Sequence, residues 1–114
     1  MNIQIRATGM ELTESIKSYI EEKMQSLEKF FDNIQHVNVD VGMRSQHHNK
    51  GNIYYAEVNM SIPGNFVRVE RDASDLYKAI DKVKDHLKVE LDEVKEKMRR
   101  KDKHELRDQK AYQE

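Results

Sequence analysis

Residues 72–100 read DASDLYKAIDKVKDHLKVELDEVKEKMRR, and this stretch decides the fold. Leu76, Ile80, Val83, Leu87, Leu91, Val94 and Met98 recur at steps of three or four. At 3.6 residues per turn they form one narrow apolar stripe, the mark of an amphipathic helix. Asp72, Ser74 and Asp75 offer side-chain oxygens to the unpaired amides at its start, and Arg99, Arg100 and Lys101 suit the negative end of its dipole. A lone helix this charged is marginal in water, so the stripe requires an apolar surface to lie on.

The residues before it supply that surface. Ile3, Ile5 and Ala7 alternate with Asn2, Gln4 and Arg6, the period of a half-buried strand. Thr13 is placed to cap a helix whose apolar face is Ile16, Tyr19, Ile20, Met24, Leu27 and Phe31, with Asp32 and Asn33 as its stop. Val37, Val39, Val41 and Met43 alternate as a second strand. Tyr54, Ala56, Val58, Met60 and Ile62 form a third, facing away from Tyr55, Glu57, Asn59 and Ser61. Pro63-Gly64-Asn65 makes a tight turn into a fourth strand, Phe66 to Arg71. Residues 44–52 read as an exposed connection.

The expected class is α+β, in the order β-α-β-β-β-α. One four-stranded mixed sheet with both helices packed on one face buries every stripe. The first two strands are parallel across a helical crossover, and the other links suit antiparallel pairing. Residues 1–101 read as one domain, and residues 102–114 as a charged C-terminal tail or helix extension.

The 114 residues carry 36% charged and 37% apolar side chains and a formal net charge of −1, so any nucleic-acid binding must come from local patches. With no cysteine, disulfides and thiolate chemistry are excluded. No apolar run approaches the ~20 residues that span a bilayer, and residues 1–6 lack the apolar core of a signal peptide. The expectation is a cytoplasmic protein without a membrane partner. No nucleophile elbow, phosphate loop or metal-protease motif is present, so the chain reads as a non-enzyme with no cofactor and no small-molecule substrate. His47 and His48 could share a metal with His36 or an acid, but no carboxylate stands at ligand spacing beside them. An exposed polar loop is the simpler reading.

Positive charge is partly sorted on the long helix. Lys84, Lys88, Lys95 and Arg99 share the flank that also carries Tyr77, and Lys78, Lys82 and Arg100 point outward. Residues 75–101 hold nine Lys/Arg against seven Asp/Glu, which a helix solubilised by charge pairs would also show. Lys17, Lys23 and Lys29 add charge on the first helix, and Arg44 and Lys50 flank the polar connection with no acid between them.

Two blocks carry a resemblance. The first comprises Met1-Asn2-Ile3, Glu11-Leu12-Thr13-Glu14-Ser15-Ile16, Lys23, Leu27-Glu28-Lys29 and Phe31. The second is Asp75-Leu76-Tyr77-Lys78-Ala79-Ile80-Asp81. Together they resemble the ribosome hibernation promoting factors, also called ribosome-associated translation inhibitors, in their short form. The resemblance covers the chain to about Lys101. It implies binding to the small ribosomal subunit and its rRNA, in the channel of messenger and transfer RNA, in stressed or stationary cells. It further implies inhibition of translation by steric occlusion, with basic side chains of both helices on the RNA backbone.

Carried over by position, Lys17, Lys23 and Lys29 match contact positions on the first helix. On the second helix, His86, Val89 and Glu93 stand where family members carry basic residues, and this chain's charge lies at Lys78, Lys82, Lys84 and Lys88 instead. The candidate RNA-binding set is therefore Lys17, Lys23, Lys29, Arg44, Lys50, Lys78, Lys82, Lys84, Lys88, Arg99 and Arg100, with Lys23 and Lys82 expected to be exposed. The competing reading is a protein-binding regulator, such as a modulator of an alternative sigma factor. Self-association is left open by the sequence.

Overall fold

The computed structural model describes residues 1–45 and 51–112. Its elements are β1 (Asn2–Thr8), α1 (Glu14–Gln25), a single 3-10 turn (Ser26–Lys29), β2 (His36–Ser45), β3 (Asn52–Ile62), β4 (Asn65–Ala73) and α2 (Leu76–Tyr112). The strands lie side by side in sequence order. β1 is parallel to β2, pairing Asn2 with His36 and Ala7 with Val41. The β2–β3 and β3–β4 pairs are antiparallel.

Alternation along the strands sends one set of side chains under the helices. Val37, Val39 and Val41 of β2, Ala56, Val58, Met60 and Ile62 of β3, and Val67 and Val69 of β4 are buried there. α2 packs on β3 and β4, and α1 packs on β1 and along α2. The α2 stripe supplies Leu76, Ala79, Ile80, Val83, Leu87, Leu91 and Val94 to this core. Full burial of one such leucine or isoleucine is worth about 1.5–3 kcal/mol, so the stripe holds the helix far more firmly than its own propensity could.

Three boundaries differ from the sequence expectation. α2 begins at Leu76 rather than Asp72, because Asp72 and Ala73 extend β4 and pair with Tyr55 and Tyr54. Asp75 then caps the helix, its carboxylate accepting from the Tyr77 amide at 2.7 Å. α1 stops at Gln25 instead of running to Phe31. The Ser26 hydroxyl donates to the Lys23 carbonyl at 2.6 Å, and the chain tightens into the 3-10 turn while still burying Leu27 and Phe31. Asn33, with φ of 67°, completes the turn away from the helix. Met98, read as part of the stripe, is 39% exposed, since the sheet no longer lies beneath α2 at that turn.

Tyr55 is a fourth difference. It points to the outer face of the sheet, as alternation requires, yet is only 8% exposed. Its ring lies over Gly42, where a Cβ would stand 2.5 Å from the ring and from the Thr8 carbonyl. The Arg44 guanidinium covers the ring at 4.2 Å from its centroid. Arg44 itself belongs to β2, opposite Ile53, rather than to a connection. His47, His48 and Lys50 lie outside the described residues.

Candidate nucleic-acid interface

The two broad faces of the molecule treat charge differently. On the open face of the sheet, arginines are matched by carboxylates. Arg6 sits 3.3 Å from Asp40, which also accepts from the Thr8 hydroxyl at 3.1 Å. Arg68 sits 3.2 Å from Glu57, and Arg44 is 2.7 Å from Glu70. The hydrogen bond that the Arg44 guanidinium donates to Glu70 holds it above its ordinary pKa. Cross-strand pairs of this kind cancel the field of the face.

The helical face gathers cations around aromatic rings. α1 and α2 meet where the Tyr19 and Tyr77 rings pack edge to face at 4.8 Å. The Tyr19 hydroxyl donates to Asp81 at 2.5 Å. That bond, helped by desolvation and the nearby carboxylates, pushes the Tyr19 phenol up to about 12. Lys23 stands 3.8 Å from the same carboxylate and 5.1 Å from the Tyr19 ring. Further along, Phe30 draws two lysines from α2: Lys95 at 4.4 Å and Lys88 at 5.3 Å from the ring centroid. The Lys95 ammonium also donates to the Phe30 carbonyl. Lysines from one helix thus close over the 3-10 turn that follows the other.

The candidate residues fall into groups. Lys84 and Lys88 share the flank of α2 that faces α1, with Arg99 further along the same flank. Lys78 and Lys82 point outward, and Lys82 reaches back to donate to the Asp72 carbonyl at 3.2 Å. Arg100 also points outward. Lys17 and Lys29 are exposed. Lys17 and Lys23 lie six residues apart, about 120° around α1, so they do not share a flank. Two placements differ from expectation. Lys23 is not exposed: its side chain is 28% accessible and tied to Asp81. Arg44 lies across the sheet from the helices, on the self-neutralised face.

Lys95, Phe30 and Tyr19 stood outside the candidate set. The seven-residue step from Lys88 to Lys95 on one flank was the available signal for Lys95. Nothing in the pattern marked the Phe30 ring as the meeting point, because it sits beyond the true end of α1. At the positions where a basic residue was expected on α2, His86 pairs with Glu90 at 3.4 Å, and Val89 and Glu93 are exposed. Among the described residues there is no cluster of three or more metal-binding side chains, and no helix long and apolar enough to cross a membrane.

Comparison with known proteins adds to this. Residues 3–99 match the family model for Sigma 54 modulation protein / S30EA ribosomal protein. The chain is similar to the ribosome hibernation promotion factor of Deinococcus radiodurans, at 33% identity over 92 residues, covering 81% of this chain and 48% of that protein. It is similar to the ribosome hibernation promoting factor of Pseudomonas putida, at 30% over 97 residues, covering 85% of this chain and 89% of that one. Among solved structures, the N-terminal domain of Thermus thermophilus Protein Y superposes with a TM-score of 0.64 at 30% identity, covering 80% of this chain and 96% of that domain. The chain spans about half the length of curated relatives such as the Deinococcus, Lactococcus lactis and Bacillus subtilis factors.

Proposed function

The chain belongs to the Sigma 54 modulation protein / S30EA ribosomal protein family, and on that premise we propose that it is a ribosome hibernation factor. It binds the small ribosomal subunit in the channel used by messenger and transfer RNA and shuts out both. No bond is made or broken; the protein acts by occupying space. Its place of action is the cytoplasm, during stress or stationary phase.

The observation that carries this reading is the asymmetry of charge. The helical face keeps Lys29, Lys78, Lys82 and Lys88 exposed, with the exposed acids of α2 at Asp85 and, in its later turns, at Asp92, Glu93 and Glu96, while the arginines on the sheet face are matched to Asp40, Glu57 and Glu70. The helices therefore face the RNA and the sheet faces away. Lysines at the ends of flexible stems contact phosphates without reading sequence, and a rigid helix pair recognises folded RNA by its shape. Arg44 has no part in that contact.

Purified ribosomes test the reading. Added protein is expected to lower translation of a defined messenger, and to do so less when messenger and transfer RNA are bound first. Co-sedimentation with small subunits is expected at low salt and lost as salt rises, with a slope set by about five phosphate contacts. Inhibition independent of the order of addition would overturn occlusion. Binding that persists at high salt would point to a protein partner instead.

A further inference from the structure

β4 is an edge of the sheet: β3 lies on one side of it and, among the described residues, no strand lies on the other. The tight turn at Pro63-Gly64 makes Ile62 and Asn65 a hydrogen-bonded pair, so every second residue from Asn65 turns its N–H and C=O to β3. Phe66, Arg68, Glu70 and Asp72 turn theirs outward. Near the ends of the strand, side chains take two of these groups. The Asn65 side-chain oxygen accepts from the Phe66 amide at 2.8 Å, and the Lys82 ammonium donates to the Asp72 carbonyl at 3.2 Å. Between them, the backbone groups of Arg68 and Glu70 have no partner among the described residues.

Open groups in the middle of an edge strand are a template for another strand, and charged side chains are the common guard against it. In β4 the charges favour one pairing instead. A second β4 laid antiparallel over all nine residues sets Val69 against the partner's Val69. Arg68 then faces the partner's Glu70, and Glu70 faces the partner's Arg68. A slip that keeps the two sheet faces aligned moves the register by two residues. It sets Arg68 against Arg68, or Glu70 against Glu70. Full overlap and matched charge therefore select the same register. β1, the other edge, carries Arg6 and no acid, and offers no such match. Both β4 charges keep a free side. Arg68, 63% accessible, meets Glu57 through Nη2, and Glu70, 36% accessible, meets Arg44 through Oε1. Across the joint the signs alternate: Glu57, Arg68, the partner's Glu70, the partner's Arg44.

We propose that two copies of this chain join at β4 into one continuous sheet, about a two-fold axis at Val69. Such a contact is isologous and closes on itself. Arg71 lines a surface hollow with Lys82, Asp85, His86 and Val89, so that flank of α2 stands beside the edge. The axis runs the two α2 helices antiparallel with this flank turned inward, and with it Val89, which is 55% exposed in the single chain. The proposal does not depend on the ribosome-binding reading.

Sedimentation of the full chain from micromolar to millimolar concentration tests it. A dimer is expected to form as concentration rises and to weaken with salt. Arg68→Gln or Glu70→Gln removes both symmetric pairs and is expected to weaken dimerisation roughly 2- to 30-fold. Arg68→Glu and Glu70→Arg each set like charges opposite one another and are each expected to stay monomeric, with the fold retained in thermal unfolding. Mixed together, they are expected to dimerise, because acids on one chain then face arginines on the other. Amide exchange at Arg68 and Glu70 is expected to slow in the dimer. A chain that stays monomeric at millimolar concentration, or a dimer that the glutamine and reversal variants leave unchanged, would overturn the proposal. So would a mixture of the reversal variants that stays monomeric.

Discussion

The hydroxyl of Tyr19 on α1 donates to the carboxylate of Asp81 on α2 across 2.5 Å, joining the two helices by a charge-assisted hydrogen bond beside the Tyr19–Tyr77 edge contact. Tyr19→Phe keeps the ring and removes the bond, and is expected to cost about 1 kcal/mol in denaturant unfolding. The phenol's ordinary pKa of 10.0 is raised to about 12 in the fold. A raised pKa means the folded state holds its proton more tightly. The bond's contribution is thus fully present below pH 10 and is lost as pH rises through about 12. In an alkaline titration followed by phenolate absorbance, one of the five tyrosines is expected to ionise late, and Tyr19→Phe removes that late step.

Gly42 is fixed by Tyr55 rather than by its own backbone angles. A Cβ there would stand 2.5 Å from the Tyr55 ring and from the Thr8 carbonyl. Gly42→Ala therefore displaces the ring from beneath Arg44, with an expected cost of about 2 kcal/mol or more in thermal or chemical unfolding. Combining it with Tyr55→Ala is expected to recover part of that cost, because the clash with the ring is then gone.

The apolar stripe of α2 has a functional end at Val94. Leu87→Ala, at a fully buried position, is expected to cost about 2–5 kcal/mol. Met98→Ala is expected to cost less than about 0.5 kcal/mol, as for a surface change, because the side chain is partly in solvent beyond the sheet. Equal losses at the two positions in matched denaturant curves would show that the core continues under Met98.

Charge reversal separates the two faces. Lys78→Glu with Lys82→Glu, both on the exposed side of α2, is expected to weaken small-subunit binding strongly and lower its salt slope while leaving unfolding unchanged. Arg44→Gln is expected to leave binding unchanged and to cost at most about 1 kcal/mol of stability, since its pair with Glu70 is exposed. Weaker binding by Arg44→Gln would bring the sheet face into the contact.

The fold was legible in the sequence wherever one face of an element is buried. Val37 to Val41, Ala56 to Ile62 and Leu76 to Val94 alternate or recur because each must meet the same core, and the sheet order follows from that. Element ends were less legible. Asp72 and Asp75 both look like caps, and only pairing with Tyr55 assigns Asp72 to β4. The 3-10 turn keeps Leu27 and Phe31 buried as a longer α-helix would, so periodicity does not distinguish the two. On the interface, the projection of α2 separated Lys84 and Lys88 from Lys78 and Lys82. It could not show that Lys23 is drawn in by Asp81, or that Arg44 is taken up by Glu70, because both depend on residues far away in sequence.

Among the described residues β1 has one neighbour, and that neighbour begins 34 residues further along. The other strand pairs are close in sequence and can zip from short loops. The pairing of β1 with β2 therefore carries the largest loop-closure entropy in the sheet. Of the three strand pairings, that of β1 with β2 is thus the one that most depends on the rest of the fold being in place.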